Sequence, residues 1–263
     1  MNKLLTYFFY FTDYLKHGDL LSVITSVKYI ISKTSHKTDR TIKTSVGKFY
    51  CRKETNDFQF ANLYYEWDVK KYILKELNNF SLFIDAGACI GEYCILLAKK
   101  SKKCIAFEPV PSNLNALTRN KELNNLQNII RIFPFGLGAE NYKSNFIFNS
   151  VNTGASKITS EKSKNSEVVE IKKFDDFFHE LNIRKNEKVL MKFDVEGMEV
   201  EAIMGATEFI RLFPHVILII EDKHSGEEKI IKQLEKIATF EIERIDKFNL
   251  AAKKIRNFGS EKD

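Results

Sequence analysis

Apolar residues in the first 35 positions recur at helical spacing. Leu4, Phe8, Phe11 and Leu15 form one set, and Leu20, Ile24, Val27 and Ile31 repeat it after His17-Gly18-Asp19. Each set makes a single stripe, so two amphipathic helices are expected, packed as a hairpin on the main domain. The aromatic run Tyr7 to Phe11 also suits a membrane surface or a docking partner. Residues 32–41 are rich in Ser, Thr, Lys and His and read as a loop. β-Branched and aromatic residues over 42–61 surround Gly47 and a polar break at Glu54 to Asp57, which predicts a short β-hairpin. A helix over 64–78 then leads into the core.

From residue 82 strands and helices alternate. The strands are expected at Leu82–Ala86, Cys104–Phe107, Asn128–Phe133, Val189–Phe193 and His215–Ile220, with two weaker ones near 239–244 and 248–252. Helices are expected between them, including 112–124, one ending near Phe209, and 226–238. Such alternation predicts a Rossmann-like α/β fold: a mostly parallel seven-stranded sheet with helices on both faces. Residues 139–188 interrupt it with a strand-like Phe146-Ile147-Phe148, a polar stretch from Thr159 to Ser166 and a helix near 174–182, and read as an insertion. The expected organisation is a helical extension over 1–41, a hairpin and lead-in helix over 42–80, and the main domain over 81–263.

Composition changes this picture little. The 263 residues are 44% hydrophobic, as in an ordinary globular protein. A net charge of +6, from 41 basic and 35 acidic residues, is too mild to imply nucleic acid. Cys51, Cys89, Cys94 and Cys104 form no C-x-x-C pair and read as reduced thiols of a cytoplasmic protein, most of them in the core. The apolar run Leu4 to Phe11 is far short of the roughly 18 residues that a membrane span needs, and no cleavage site follows it.

The chemistry lies at the predicted strand ends. Asp85-Ala86-Gly87-Ala88-Cys89-Ile90-Gly91 is a strand, a glycine turn and a helix start. Glycine lets a ligand approach the backbone closely. Asp85 stands where the dinucleotide fingerprint needs its first glycine, and an acid there repels a pyrophosphate. Glu108 follows the next strand at the distance, about 20 residues, where an acid accepts hydrogen bonds from ribose hydroxyls. Lys192-Phe193-Asp194-Val195-Glu196-Gly197-Met198-Glu199 and Glu221-Asp222-Lys223-His224 follow two more strands. Each acid alone could be a helix cap or a solvated loop residue. Four of them, Asp85, Glu108, Asp194 and Glu221, reach one sheet edge, where open α/β sheets bind ligands. That edge suits a net cationic cofactor such as S-adenosylmethionine better than NAD. The acids allow a divalent metal, but no compact ligand cluster demands one.

These segments resemble the FkbM family of methyltransferases. Asp85 to Gly91 is similar to the family's D-x-G-A-N-x-G turn, with Cys89 in place of asparagine. Glu108-Pro109-Val110-Pro111-Ser112-Asn113 resembles its E-P-x-P-x-N run. Lys192 to Glu199 resembles K-x-D-x-E-G-x-E, and Glu221 to His224 its E-x-x-H ending. The likeness spans roughly residues 42–253. It implies a class I methyltransferase fold, S-adenosylmethionine as cofactor, and methyl transfer to a hydroxyl of a glycan, glycolipid or small natural product. Asp85, Gly87, Ala88, Gly91, Glu108, Pro109, Asn113 and Asp194 would then bind the cofactor. Asp194, Glu196 and His224 are the candidate catalytic groups, histidine being best matched to neutral pH. Two rival readings are methylation of RNA, which lacks an aromatic-basic platform here, and a non-catalytic cofactor-binding scaffold that docks through the N-terminal helices. The protein is expected in the cytoplasm or at the face of a membrane.

Overall fold

A computed structural model describes residues 3–147, 157–159 and 166–257. Helices α1 (Lys3–Lys16) and α2 (Leu20–Ser32) open the chain. Asp19 caps α2 by accepting from the Ser22 N–H at 3.0 Å, and Arg40 holds the same carboxylate at 2.9 Å. Strands β1 (Arg40–Lys43) and β2 (Lys48–Cys51) form the expected hairpin. The stretch after it is not strand. Arg52 grips Asp57 through its backbone N–H and guanidinium, and this turns the chain into helix α3 (Asp57–Phe60). Helix α4 (Trp67–Lys75) follows.

The two N-terminal helices pack on the body of the protein, but through the face opposite to the predicted stripe. Tyr14 is fully buried and its hydroxyl donates to the Phe58 carbonyl at 2.7 Å. In α2 the inward residues are Ser22, Thr25, Ser26 and Tyr29. Leu20, Ile24, Val27 and Ile31 face outward, as do Phe8 and Leu15 of α1.

Strand β3 (Leu82–Ala86), helix α5 (Glu92–Ala98), strand β4 (Lys103–Phe107), helix α6 (Pro111–Leu123) and strand β5 (Ile130–Phe133) build one half of the main sheet. Pro111 opens α6, where its missing N–H costs nothing. The insertion holds β6 (Gly136–Leu137), β7 (Tyr142–Ile147), β8 (Lys157–Thr159) and β9 (Ser166–Lys172), which pair in the order β6-β9-β7-β8 as a second sheet. Phe148 and most of the polar stretch after Thr159 lie outside the described residues. The helix expected near 174–182 is two short 3-10 turns, Phe174–Asp176 and Phe178–Leu181.

Strand β10 (Val189–Phe193), helices α7 (Glu199–Gly205) and α8 (Thr207–Leu212), strand β11 (Val216–Glu221), helix α9 (Glu227–Glu235), and strands β12 (Ala238–Arg244) and β13 (Asn249–Asn257) complete the chain. Asp175 explains the broken helix before β10: its carboxylate accepts from the Glu208 and Phe209 N–H groups of α8, which ties that turn down. The main sheet runs β12-β13-β11-β10-β3-β4-β5, parallel from β11 to β5, with β13 antiparallel to both its neighbours. This is the predicted Rossmann-like α/β fold. Both faces of β3 and β10 are buried, which is why they read as unbroken apolar runs. One apolar cluster joins α5 and α6 to the hairpin, α3 and α4; the other packs Phe174, Phe178, Phe209 and Phe213 over the opposite face. The strand order reverses between β3 and β10, so a crevice opens at their carboxyl ends.

Candidate active site

A cavity of about 690 Å³ lies in that crevice. The turn after β3 forms its floor. Gly87 has φ +87°, and a Cβ there would sit 1.9 Å from the Asp194 carbonyl oxygen, so only glycine fits. The Gly87 and Ala88 N–H groups donate to the Phe107 carbonyl at 3.0 and 3.1 Å, which ties the turn to the end of β4. Gly91 is placed differently from the reading of the sequence. It lies beneath the turn, where its missing side chain makes room for Leu117 of α6, and it does not line the cavity.

Asp85 is buried on the cavity wall. Cys94 Sγ donates to its Oδ2 at 3.6 Å, and its Oδ1 has no partner. Burial pushes its carboxyl up to about 6, against the pull of Lys192. Glu108 is also buried there. Its Oε2 accepts from the Cys89 N–H at 2.8 Å, and its Oε1 from the Val110 N–H at 2.9 Å and from Asn113 Nδ2 at 3.4 Å. A carboxylate has about four acceptor sites, so roughly one is left for a ligand. Burial raises this carboxyl to about 7 although those donors oppose it. Asn113 is itself held by Arg52 Nη1 at 2.9 Å. The Arg52–Asp57 pair that turns the N-terminal segment therefore also braces the Glu108 end of the cavity. Pro109 lines the wall beside it.

Strands β10 and β11 supply the open side. Asp194 Oδ2 accepts from Lys192 Nζ at 2.6 Å, and Lys192 lies 4.8 Å from the centre of the Tyr93 ring. Burial opposes the charge of Lys192, but Asp194, Glu66 and Asp85 outweigh it and raise its pKa. Glu196 has φ +53°, a left-handed conformation unusual for a side chain of its size. His224 Nε2 approaches Glu196 Oε2 at 3.4 Å, an ion-pair distance without hydrogen-bond alignment. Glu221 Oε2 is buried beside them without a hydrogen-bond partner. Burial, then Asp194, pushes Glu196 and Glu221 to about 8.

Glu196, Glu221 and His224 each offer a ligand atom, all within 4.8 Å of one another. The three groups come from the loop after β10 and from the end of β11 and its loop, and their grouping was not visible in the sequence. Three such groups can share a proton or hold a divalent cation. Glu199, in contrast, is a brace. Fully buried, it accepts from the Val195 and Gly197 N–H groups at 3.1 and 3.0 Å and from the Ser225 hydroxyl.

Among the wall residues with no role in the sequence reading are Tyr65, Glu66, Glu92 and Lys192. Lys192 was visible in the K-x-D spacing. Tyr65 and Glu66 precede the core domain, and no local signal marks them. Glu66 sits in the left-handed region at φ +48° and accepts from the Tyr93 hydroxyl at 2.7 Å. Glu92 and Lys70 form a buried pair near the same wall. Burial raises the carboxyl and lowers the amine, each holding the other back.

The FkbM methyltransferase domain model matches residues 85–252, more than half of the chain. The chain belongs to the FkbM methyltransferase family. The glycine turn, the Glu108 strand end and the Asp194–Glu199 loop all fall within the matched segment, while the helical extension and Tyr65–Glu66 precede it. No protein of curated function matches the sequence. Among solved structures, this FkbM methyltransferase is similar to the M. jannaschii tRNA m1G37 methyltransferase, with 14% identity and a TM-score of 0.47 over 90% of this chain and 68% of that one. It is similar to the precorrin-6y C5,15-methyltransferase of Geobacter metallireducens, with 13% identity and a TM-score of 0.43 over 72% and 88%. A Streptococcus mutans protein solved with SAH gives 9% identity and a TM-score of 0.45 over 72% and 98%.

Proposed function

We propose that this methyltransferase binds S-adenosylmethionine in the crevice and methylates a hydroxyl group of a glycan, glycolipid or small natural product, with His224 taking the proton. The observation that carries this is the placement of His224 and Glu196 on the wall of the same cavity as the Gly87 turn and Glu108. The residues fit such a cofactor. Gly87 lets a ligand lie against the backbone, Glu108 keeps acceptor capacity for a ribose hydroxyl, and the unpartnered Asp85 Oδ1 and the Asp194 carboxylate face a net positive charge. When bound, the cofactor supplies a methyl group made electrophilic by a sulfonium. The protein's part is then orientation and proton removal, with a near-attack separation of about 3–3.5 Å.

His224 points Nε2 at Glu196. With the ring hydrogen on that nitrogen, Nδ1 holds the lone pair that takes the acceptor's proton. Glu196, whose carboxyl burial lifts to about 8, stabilises the imidazolium that forms through its ionised fraction, which grows as pH rises through that range. The Lys192–Asp194 ion pair holds the end of β10 in place.

The acceptor is to be found by mass spectrometry of the host's glycans and lipids with and without the gene. On that acceptor, His224→Ala should lower turnover by about 10²–10⁴. Calorimetry should show affinity for S-adenosylhomocysteine unchanged, and excess EDTA should leave the wild type active. Full turnover of the variant from pH 6 to 9 would remove histidine as the base. Loss of activity in EDTA, restored by Mg²⁺ or Mn²⁺, would show instead that the Glu196–Glu221–His224 group holds a cation. Binding of NAD but not of S-adenosylhomocysteine would overturn the whole reading.

A further inference from the structure

The helical extension is inside out. At 100° per residue, Leu20, Ile24, Val27 and Ile31 fall within an arc of about 60° on α2. That arc faces away from the protein: Leu20 is 61% and Ile31 79% exposed. The side facing the protein carries Ser22, Thr25 and Ser26, and it is held by polar contacts such as Thr25 Oγ1 to His36 Nδ1 at 3.1 Å. The neighbouring face of α1 exposes Leu5, Phe8 and Leu15. Ten of the seventeen large hydrophobic side chains exposed among the described residues lie between Leu5 and Ile31. A water-facing helix places its polar stripe outward. A concentration of apolar side chains on one surface marks an interaction site.

Charge decides what covers it. The exposed cations of this region are Lys16, Lys28, Lys33 and Lys37. Of its three acids, Asp19 pairs with Arg40, Asp13 is buried and accepts from the Ser45 and Leu63 N–H groups, and the exposed Asp39 accepts from the Tyr50 hydroxyl and the Lys53 N–H. An exposed apolar stripe on a segment where four exposed lysines outnumber one exposed carboxylate matches an anionic lipid surface. A second copy matches less well, since two-fold pairing of the same face would set these lysines against one another. No helix among the described residues is long and apolar enough to cross a membrane, so contact would be at the surface. On the inward side, a hollow of about 260 Å³ lined by Tyr7, Tyr10, Ser26 and Ile30 shares Tyr65 with the large cavity.

We propose that the outer face of α1 and α2 lies on an anionic membrane surface, with Leu20, Ile24, Val27, Ile31 and Phe8 entering the interface and the lysines meeting the headgroups. The test is co-sedimentation of the full-length protein with phosphatidylcholine vesicles, with and without phosphatidylglycerol. Partition should be at least tenfold stronger with the anionic lipid and should weaken with added salt. L20S/I24S/I31S should lose at least tenfold of it with little change in melting temperature, because those exposed side chains belong to neither apolar cluster. K28E/K33E should lose the preference for the anionic lipid. Failure of the wild type to sediment with either vesicle would overturn the proposal, as would binding by the triple serine variant equal to wild type. A concentration-dependent dimer abolished by the same three serines, in a protein that ignores vesicles, would overturn it in favour of a second copy. None of these outcomes depends on methyl transfer, so the proposal and the catalytic reading fail separately.

Discussion

Single residues at the crevice carry charges that burial disfavours. Asp85 is the clearest case, because burial lifts its carboxyl from an ordinary 3.8 to about 6. A buried acid with a raised pKa binds its proton more tightly when folded than when unfolded. Its contribution to stability is therefore present at low pH and is lost as pH rises from about 4 to about 6. Asp85→Asn cannot ionise and should escape that loss. In thermal melts without cofactor, its advantage over the wild type should grow between pH 4 and 6 and then level off, while calorimetry at pH 7.5 shows weaker S-adenosylhomocysteine binding. A difference that is flat across that range would mean that Asp85 is ionised throughout. Asp85, Glu108 and Asp194 could be picked from the chain because each follows an apolar run. Their surroundings could not, since Asp85's partners, Cys94 and Lys192, come from α5 and β10.

At the scale of elements, the site is two loops held together by one carboxylate. Glu199 sits at the first turn of α7, where an acid suits the helix dipole. Its sequence context offered that reading beside its place in the K-x-D-x-E-G-x-E run. In the fold its Oε1 pins the Asp194–Met198 loop, and its Oε2 takes the Ser225 hydroxyl from the loop after β11. Glu196 and His224 ride on these two loops, so their approach depends on the brace. Glu199→Ala should cost about 1.5–3 kcal/mol in urea unfolding, the range for hydrogen bonds to a charged group. It should also lower turnover, although Glu199 does not line the cavity. Unchanged stability would show that water replaces the carboxylate. The broken helix at 174–182 follows the same rule. Its apolar spacing is helical, yet Asp175 is drawn to cap α8, a neighbour that lies far away in the chain.

At the scale of the whole molecule, the helical extension is part of the folded body. Tyr14 and Asp13 meet backbone groups at Phe58, Ser45 and Leu63, and Phe60, Tyr65 and Glu66 on the wall of the cavity follow closely in the chain. Removing residues 1–35 would leave those donors and acceptors without protein partners. The truncated chain should melt lower by at least about 4 °C, on the scale of 2–4 °C per kcal/mol for a protein of this size. An equally stable truncation would show that water satisfies the uncovered groups. What the sequence by itself determined was local. Apolar runs set the strands, glycines set the turn after β3, and acids marked the strand ends, because these depend on neighbours along the chain. Periodicity also placed α1 and α2, but a stripe has no label for the side it meets. Only the tertiary structure decided that polar Ser22, Thr25 and Ser26 turn inward. It alone brought Glu196, Glu221 and His224 together from adjacent strands, and it ran the support for Glu108 through Arg52 and Asn113. Those contacts join residues far apart in the chain, and their existence depends on which strands become neighbours in the sheet.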